Sequence, residues 1–171
     1  VKEVYVEKDD NMKPLLLNSI LCSTASLVKI HDHGSYDFLG DPTEGALLLH
    51  AQEQGVDVEQ TRKDWKIVDE EPFDSTTKQM MVKVKLGKSE HSFIKGAPET
   101  VLKGRLNPEL QKTINEWTKK GYRVIAFADK NTNLGIVALY DPPRVEAKEA
   151  IERSRRAGVE VVMVTGDNAK T

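Results

Sequence analysis

An alternation of apolar and polar residues, folded back by a short turn, is the feature that most constrains what this chain can form. Met80 to Leu86 alternates apolar and polar side chains, which is the pattern of a strand with one buried face. Gly87 to Glu90 is a turn sequence, and the strand-like run His91 to Lys95 follows it. The segment therefore predicts an antiparallel hairpin.

Other strand-like segments surround this hairpin. The sequence predicts strands at 1–6, 65–68, 124–128 and 134–139. The last two are separated by the turn-forming residues Lys130 to Asn133. Because helical segments are interspersed with these strands, the pattern predicts an α+β fold, an antiparallel β-sheet with flanking helices.

Three helices are predicted among these strands. The first can begin at Pro14, and its apolar face includes Leu15, Leu16, Ile20 and Leu27. The second is capped by Asp41, with Pro42 at its first position, Glu44 as the third-position acid of a capping box, and Gly55 as its stop. The third follows Asn107, ends at Gly121, and places Leu110, Ile114 and Trp117 on one face. The polar segment 29–38 is expected to be irregular.

The pattern changes at Asp141. This residue can cap a helix that begins at Pro142 and Pro143 and runs to about Ala157. The largely apolar run 159–164 then suits a buried strand of a parallel sheet. We therefore expect a domain boundary near Tyr140, with one domain at 1–140 and part of a second, α/β domain at 141–171.

Composition excludes several functions. The chain has 171 residues, with 25 basic and 27 acidic side chains and no polybasic block, so nucleic acid is not expected as a partner. Cys22 is the single cysteine, which leaves no disulfide framework and no thiolate metal site. His31 to His33 is better explained as a solvated loop than as a metal site. No apolar run is long enough to span a bilayer, and we expect the chain to be soluble.

The segment from Lys95 to Glu99 is the strongest candidate for binding. Its lysine follows a strand and precedes Gly96, and Pro98 with Glu99 can open a helix. This arrangement would place an ammonium group beside the positive end of a helix dipole, where an anion could bind. A surface lysine in an ordinary strand–turn–helix explains the pattern equally well.

Three further residues could contact a nucleotide, although each has a structural alternative. Phe73 could stack on a base or simply belong to the core. Lys78 could face phosphates or be an ordinary solvated lysine. Arg123 could provide a phosphate-binding fork or be a plain surface arginine.

Three acidic residues are also ambiguous on sequence grounds. Glu44 is more simply a capping-box acid than a ligand contact. Asp141 is explained as a helix cap before two prolines. Asp167, in the loop from Thr165 to Asn168, could accept a metal-bound water or cap the next helix. This loop would follow the predicted parallel strand at its carboxyl end, where open α/β sheets usually bind ligands.

Other nucleotide-binding and catalytic classes lack their motifs here. The sequence contains no Gly-x-x-x-x-Gly-Lys-Ser/Thr phosphate loop and no Gly-x-Gly-x-x-Gly fingerprint. The catalytic and magnesium-binding triplets of kinases and the serine-centred nucleophile elbow are absent too.

Taken together and in this order, the motifs resemble the cytoplasmic part of a P-type cation-transporting ATPase. Three segments match family signatures letter for letter: 95–99, 141–144 and 165–167. The segment 41–47 favours the calcium-pump and sodium/potassium-pump branch, and the His-Pro pair of heavy-metal pumps is missing. The resemblance implies a nucleotide-binding domain followed by part of a haloacid-dehalogenase-like phosphorylation domain.

The resemblance also assigns roles to individual residues. It implies that Phe73 stacks on adenine, that Glu44 approaches the base's amino edge, and that Lys95 with Gly96 lines the adenine pocket. Lys78 and Arg123 would face the phosphates, and Asp141 would lie at the hinge between domains. Thr165, Gly166 and Asp167 would contact the transferred phosphoryl group and its magnesium. Thr77 replaces a basic residue found in many relatives, which predicts weaker triphosphate binding.

On this resemblance the ligands are ATP and Mg²⁺, and the partners are the phosphorylation and actuator domains and the membrane helices of a pump. The chain would lie on the cytoplasmic side of a membrane and be monomeric in isolation. The family's phosphorylated aspartate, in an Asp-Lys-Thr-Gly-Thr segment, does not occur in the sequence, so this chain should bind nucleotide without hydrolysing it. Calcium is the favoured cargo, with sodium/potassium, proton and magnesium pumps as alternatives. A haloacid-dehalogenase-class phosphatase fragment and a non-enzymatic protein-binding module also remain open.

Overall fold

The computed structural model of the chain describes residues 1–30, 36–142, 146–162 and 164. Three segments that the sequence singles out lie wholly or partly outside these described residues: His31 to His33, Pro143 with Arg144, and Thr165 to Asn168.

The central element is a six-stranded sheet in the order β1-β8-β7-β6-β5-β4, with every neighbouring pair antiparallel. Its strands are β1 (Glu3–Val6), β4 (Lys66–Asp74), β5 (Gln79–Leu86), β6 (Ser89–Gly96), β7 (Arg123–Asp129) and β8 (Thr132–Leu139). The predicted hairpin is β5–β6, in which Leu86 pairs with Ser89 across a two-residue turn. The prediction of an antiparallel α+β fold is confirmed.

Helices cover both faces of this sheet. One face carries α1 (Met12–Leu21), α2 (Pro42–Glu53) and α3 (Val58–Asp64), and the other carries α4 (Pro98–Val101) and α5 (Pro108–Lys119). The strands alternate between the two cores: Phe127 and Val137 face the first, whereas Ala126, Ala128 and Ile136 face the second. The strands β7 and β8 are buried on both faces over most of their length, which fixes their register and therefore the positions of residues at their ends.

A buried amide fixes α1 on the sheet. The Nδ2 of Asn18 donates to the carbonyl oxygens of Ile94 at 3.1 Å and of Ala128 at 3.0 Å. These two carbonyls belong to β6 and β7, close to the register irregularity between Phe127 and Ala128. Asn18 thus ties α1 to two adjacent strands of the sheet through their main-chain carbonyls.

Several predicted elements differ in detail. Helix α1 begins at Met12 rather than Pro14, and Leu27 belongs not to it but to β2 (Ser26–Lys29). Strand β2 pairs with β3 (Tyr36–Leu39), so part of the segment expected to be irregular forms a second, two-stranded sheet. Helix α3, whose N-cap Asp57 accepts from the backbone N–H of Gln60, was not predicted.

The region after β8 also departs from expectation. Helix α6 (Ala147–Arg156) has Glu146 at its N-cap position, so the prediction that Asp141 caps a helix beginning at Pro142 is wrong. Because Pro142 itself precedes a proline, its helical conformation is disfavoured. Residues 159–162 and 164 are exposed and form no strand. A parallel strand needs neighbours on its edges, and the described residues supply none here.

No helix within the described residues combines the length and the apolar character that crossing a membrane requires.

Candidate functional site

A cleft of about 540 Å³ lies where the amino end of α2 meets β5, β6 and the start of β7. Six of the seven residues predicted to bind nucleotide line it: Glu44, Phe73, Lys78, Lys95, Gly96 and Arg123. These residues are far apart in the sequence and reach one cleft through the pairing of the strands. The seventh, Asp141, is not among the residues that line the cleft.

The floor of the cleft is an ion pair between Glu44 and Lys95. The Nζ of Lys95 lies 2.8 Å from Oε1 of Glu44, and the side chains of Lys95 and Glu44 are 8% and 12% exposed, respectively. The ammonium expected to hold an external anion beside the N-terminus of α4 thus already has a protein anion as its partner. Helix α4, with only four residues, adds little dipole of its own.

Four donors from one loop hold the other carboxylate oxygen of Glu44. Its Oε2 accepts from the backbone N–H groups of Thr24 at 2.8 Å and Ala25 at 3.0 Å. It also accepts from the hydroxyls of Thr24 at 2.9 Å and Ser23 at 3.2 Å. Asp41 caps α2 as predicted, through the N–H groups of Thr43 and Glu44. The interpretation of Glu44 as a capping-box acid is wrong, because its carboxylate is used in these tertiary contacts.

The electrostatics of Glu44 follow from these contacts. Burial by itself would raise the pKa of this carboxyl, but the charge of Lys95 and the hydrogen bonds from Lys95 and Thr24 outweigh it and lower the pKa to about 2. Glu44 is therefore ionised at neutral pH. Burial also raises the pKa of the nearby Cys22 thiol to about 12, so that this cysteine stays protonated and unreactive.

Arg62 holds the same loop through its backbone carbonyls, a contact that was not predicted from the sequence. Its guanidinium donates to the carbonyl oxygens of Ile20 at 3.1 and 3.0 Å, Ser23 at 2.9 Å and Ala25 at 2.7 Å. Burial lowers the pKa of Arg62, which remains charged at any accessible pH. No side-chain acceptor marks this contact in the sequence, because all three partners are main-chain carbonyls.

Gly96 lets two backbones approach closely beside the cleft. A Cβ at this position would overlap the carbonyl oxygen of Lys78 and would lie 2.7 Å from the Cα of Gln79. That carbonyl also accepts from the N–H of Ala97 at 2.9 Å. Lys78 has a φ of 54°, a left-handed conformation that is uncommon outside glycine. The absence of a side chain at Gly96 therefore lets the backbone at Lys78 and Gln79 pack against it.

The side walls of the cleft are apolar. Phe73, near the end of β4, is 61% exposed, so the interpretation of this ring as a core residue is wrong. Leu47, Met80, Val124 and Ile125 line the cleft with it. An exposed ring beside aliphatic side chains is suited to a flat, apolar ligand group.

Two cations stand at the mouth of the cleft. Among the described residues, Lys78 has one ion-pair partner, the exposed Glu99 at 3.6 Å. Arg123 is exposed, and its Nη1 donates to the hydroxyl of Thr43 at 3.0 Å. Both side chains therefore retain free donors for an anionic ligand.

The described residues contain no candidate metal site. Thr165, Gly166 and Asp167, predicted to contact the phosphoryl group, lie outside the described residues. Within residues 1–30, 36–142, 146–162 and 164, no group of three or more His, Cys, Asp or Glu side chains could hold a metal ion. Among the described residues, the cleft thus offers groups suited to binding a ligand.

Comparison with known families agrees with this architecture. The family model described as "P-type ATPase, cytoplasmic domain N" matches residues 11–105. This match covers more than half of the chain, and the chain belongs to that family.

Several curated relatives match along nearly the whole chain. The calcium-transporting ATPase of Bacillus subtilis (strain 168) is 30% identical over 99% of this chain and 22% of its own length. Calcium-transporting ATPase 2, plasma membrane-type, of Arabidopsis thaliana is 35% identical over 92% of this chain and 19% of its own length. Calcium-transporting ATPase 10, plasma membrane-type, of Oryza sativa subsp. japonica is 34% identical over 96% of this chain and 19% of its own length. The chain thus spans about a fifth of the length of these relatives.

Proposed function

We propose that the cleft binds the adenine nucleotide ATP as the nucleotide-binding part of a cation pump. The observation that carries this proposal is the convergence of Glu44, Phe73, Lys78, Lys95 and Arg123 on one cleft. Their arrangement pairs an apolar slot and a buried charged floor with a cationic mouth. A nucleotide combines a flat base with a polyanion, which matches these two ends.

The floor of the cleft can read the edge of the base. Within the described part of the chain, Lys95 is the one hydrogen-bond donor to Oε1 of Glu44, which leaves this oxygen acceptor capacity. The ammonium of Lys95 likewise has donors to spare. An exocyclic amino group beside a ring nitrogen, as in adenine, offers the matching donor and acceptor. A guanine edge has these roles reversed and would bind more weakly.

The wall and the mouth would hold the rest of the ligand. Phe73 would stack on the base, and such stacking contributes about 1–3 kcal/mol. Lys78 and Arg123 would contact the phosphates from the rim, where solvent weakens charge interactions. The base is therefore the main anchor, and binding should depend little on magnesium.

The larger role follows from the relatives, whose names describe calcium transport. In this proposal residues 1–140 deliver the γ-phosphate of ATP to an aspartate of a phosphorylation domain, and 141–171 are part of that domain. Thr165, Gly166 and Asp167 would contact the phosphoryl group and Mg²⁺, and Asp141 would lie at the hinge. The actuator domain and membrane helices would complete the pump, with this chain on the cytoplasmic side.

The chain by itself is proposed to bind ATP as a monomer without hydrolysing it. The residues of the cleft position and neutralise a ligand, and phosphoryl transfer also requires an acceptor aspartate, which has no matching segment in this sequence. The alternative of a protein-binding module predicts that the candidate residues are scattered, and their convergence favours the nucleotide. The Asp-x-Asp nucleophile of a haloacid-dehalogenase-class phosphatase was not found in the sequence.

The direct test is a calorimetric titration with ATP, with and without magnesium, of the wild type, Phe73→Ala and Tyr36→Ala. Tyr36 is an exposed aromatic residue that does not line the cleft, so it controls for general loss of an aromatic side chain. We expect a dissociation constant near the millimolar range, about −4 to −5 kcal/mol. Phe73→Ala should weaken binding about fivefold or more and Tyr36→Ala should not. Equal affinity of both variants would refute the proposed base site.

A further inference from the structure

Residues 22–25 form a short loop, the strap, which two charged side chains hold through different backbone groups. Glu44 accepts hydrogen bonds from the backbone N–H groups of Thr24 and Ala25. Arg62 donates hydrogen bonds to the carbonyl oxygens of Ser23 and Ala25. Ala25 thus links the two directly, since its N–H binds the carboxylate and its carbonyl binds the guanidinium.

Arg62 also anchors the strap to the end of α1. Two of its nitrogens reach the carbonyl of Ile20, which is among the last four carbonyls of α1 and would otherwise be unpaired in the helix. Its partners lie 37 to 42 positions away in the sequence. One guanidinium therefore fixes the position of the strap relative to both α1 and α3.

The charge of Arg62 has no ion-pair partner among the described residues. In the described part of the chain, no carboxylate forms a salt bridge with its guanidinium, although the side chain is partly buried. Arg62 does not line the cleft either. A planar fork of donors directed at three carbonyls is suited to holding backbone in one place, which a lysine cannot reproduce.

We propose that Arg62 is a positioning residue for the cleft: by holding the strap, it orients the Glu44 carboxylate and the base-reading edge that this carboxylate shares with Lys95. The importance of this edge for nucleotide rests on the function proposed above, whereas the orientation of Glu44 does not. The strap supplies all four hydrogen bonds to Oε2. When the strap moves, these donors move with it, and Glu44 turns away from the position that leaves Oε1 facing the cleft.

The test compares Arg62→Lys with Arg105→Lys in the 171-residue chain. Arg105 is a matched control, because its guanidinium also donates to backbone carbonyls, those of Val101 and Lys130, and lies away from the cleft. Both variants lose an arginine fork and keep the charge. The readouts are the ¹³C signal of the Glu44 carboxyl during an acid titration, the dissociation constants of ATP and GTP, and stability in urea.

Arg62→Lys is expected to shift the Glu44 signal and to raise its pKa from about 2 toward the ordinary 4.5. It should also weaken ATP binding about tenfold, which is the usual size of a coupling carried through a chain of contacting residues. GTP binding should weaken less. Arg105→Lys should lower stability and leave the Glu44 signal unchanged. An unchanged Glu44 signal in Arg62→Lys would overturn the inference, whatever ATP does. Failure of the wild type to bind ATP would instead overturn the proposed function.

A reciprocal measurement covers the case in which Arg62→Lys does not fold. Exchange of the Arg62 Nε–H with solvent is measured in the wild type and in Glu44→Gln, which weakens the other hold on the strap. We expect slow exchange in the wild type and at least about tenfold faster exchange in the variant. Equal exchange rates would show that the two side chains hold the strap independently and would overturn the inference.

Discussion

The Nζ of Lys95 lies 2.8 Å from Oε1 of Glu44, and this pair joins β6 to α2 across 51 positions of sequence. The most buried cation of the cleft is therefore neutralised before any ligand arrives. Such a pair orients its two members, so that they present a fixed edge of donors and acceptors rather than a free positive charge.

Removing one member of this pair should lower the free energy of unfolding more than replacing both members. Lys95→Met leaves a buried carboxylate without its cation, and we expect a loss of about 3–5 kcal/mol in the free energy of unfolding. The double variant Lys95→Met/Glu44→Gln should recover part of that loss. Urea unfolding of the single and double variants measures the coupling, and additive losses would contradict a specific pair.

Acid should weaken the fold through Glu44. The pKa of this carboxyl is lowered from 4.5 to about 2 in the folded chain, so its stabilising contribution is complete above about pH 5 and is lost as the pH falls toward 2. Between pH 5 and pH 3 the loss amounts to up to about 2 kcal/mol. Unfolding curves for the wild type and Glu44→Gln should therefore converge at low pH. A constant difference between them would contradict the lowered pKa.

Gly96→Ala should disturb the cleft as well as the sheet. The added Cβ meets the Lys78 carbonyl, and relief of this overlap must move the backbone, at an expected cost of about 2 kcal/mol or more. Gly87→Ala is the control, because Gly87 has a φ of +59° and a Cβ added there would meet no atom within 4 Å. Gly87→Ala should lower the free energy of unfolding by only about 1 kcal/mol. ATP titrations should show weaker binding for Gly96→Ala alone.

A cation at position 77 should strengthen triphosphate binding. Thr77 is exposed and directly precedes Lys78 at the mouth of the cleft. Thr77→Arg is expected to tighten ATP binding about two- to fivefold at low salt and to leave the affinity for adenosine unchanged. Thr132→Arg, on β8 away from the cleft, controls for added charge. An equal gain for adenosine would place the new side chain on the base rather than the phosphates.

The sheet could be predicted because its strands carry their own pattern. The alternation in β5 and the turn before β6 are local, and so is the Asp41–Pro42 helix start. The prediction of a helix from Asp141 was wrong because Pro142 resembles the first residue of a helix, but it is itself followed by a proline. A residue that precedes a proline is disfavoured in the helical conformation. The strand expected at 159–164 required partners that the described residues do not provide.

The candidate site was only partly predictable from local chemistry. The local sequence indicates that Glu44, the third residue of α2, is a capping acid, but its actual partner Lys95 is 51 positions away. Arg62 gave no signal at all, since its hydrogen bonds end on main-chain carbonyls. The convergence of these residues depends on strand order, which local sequence does not reveal and which the family resemblance supplied.

Mapping the ATP site on the wild-type chain by two-dimensional NMR tests the central claim most directly. Increasing ATP should produce saturable shifts that cluster at Glu44, Phe73, Lys95, Gly96 and Arg123. The same titration with inorganic triphosphate should move Lys78 and Arg123 but spare Phe73. Shifts confined to lysines and arginines across the whole surface, or no shifts at several millimolar ATP, would contradict an adenine-binding cleft.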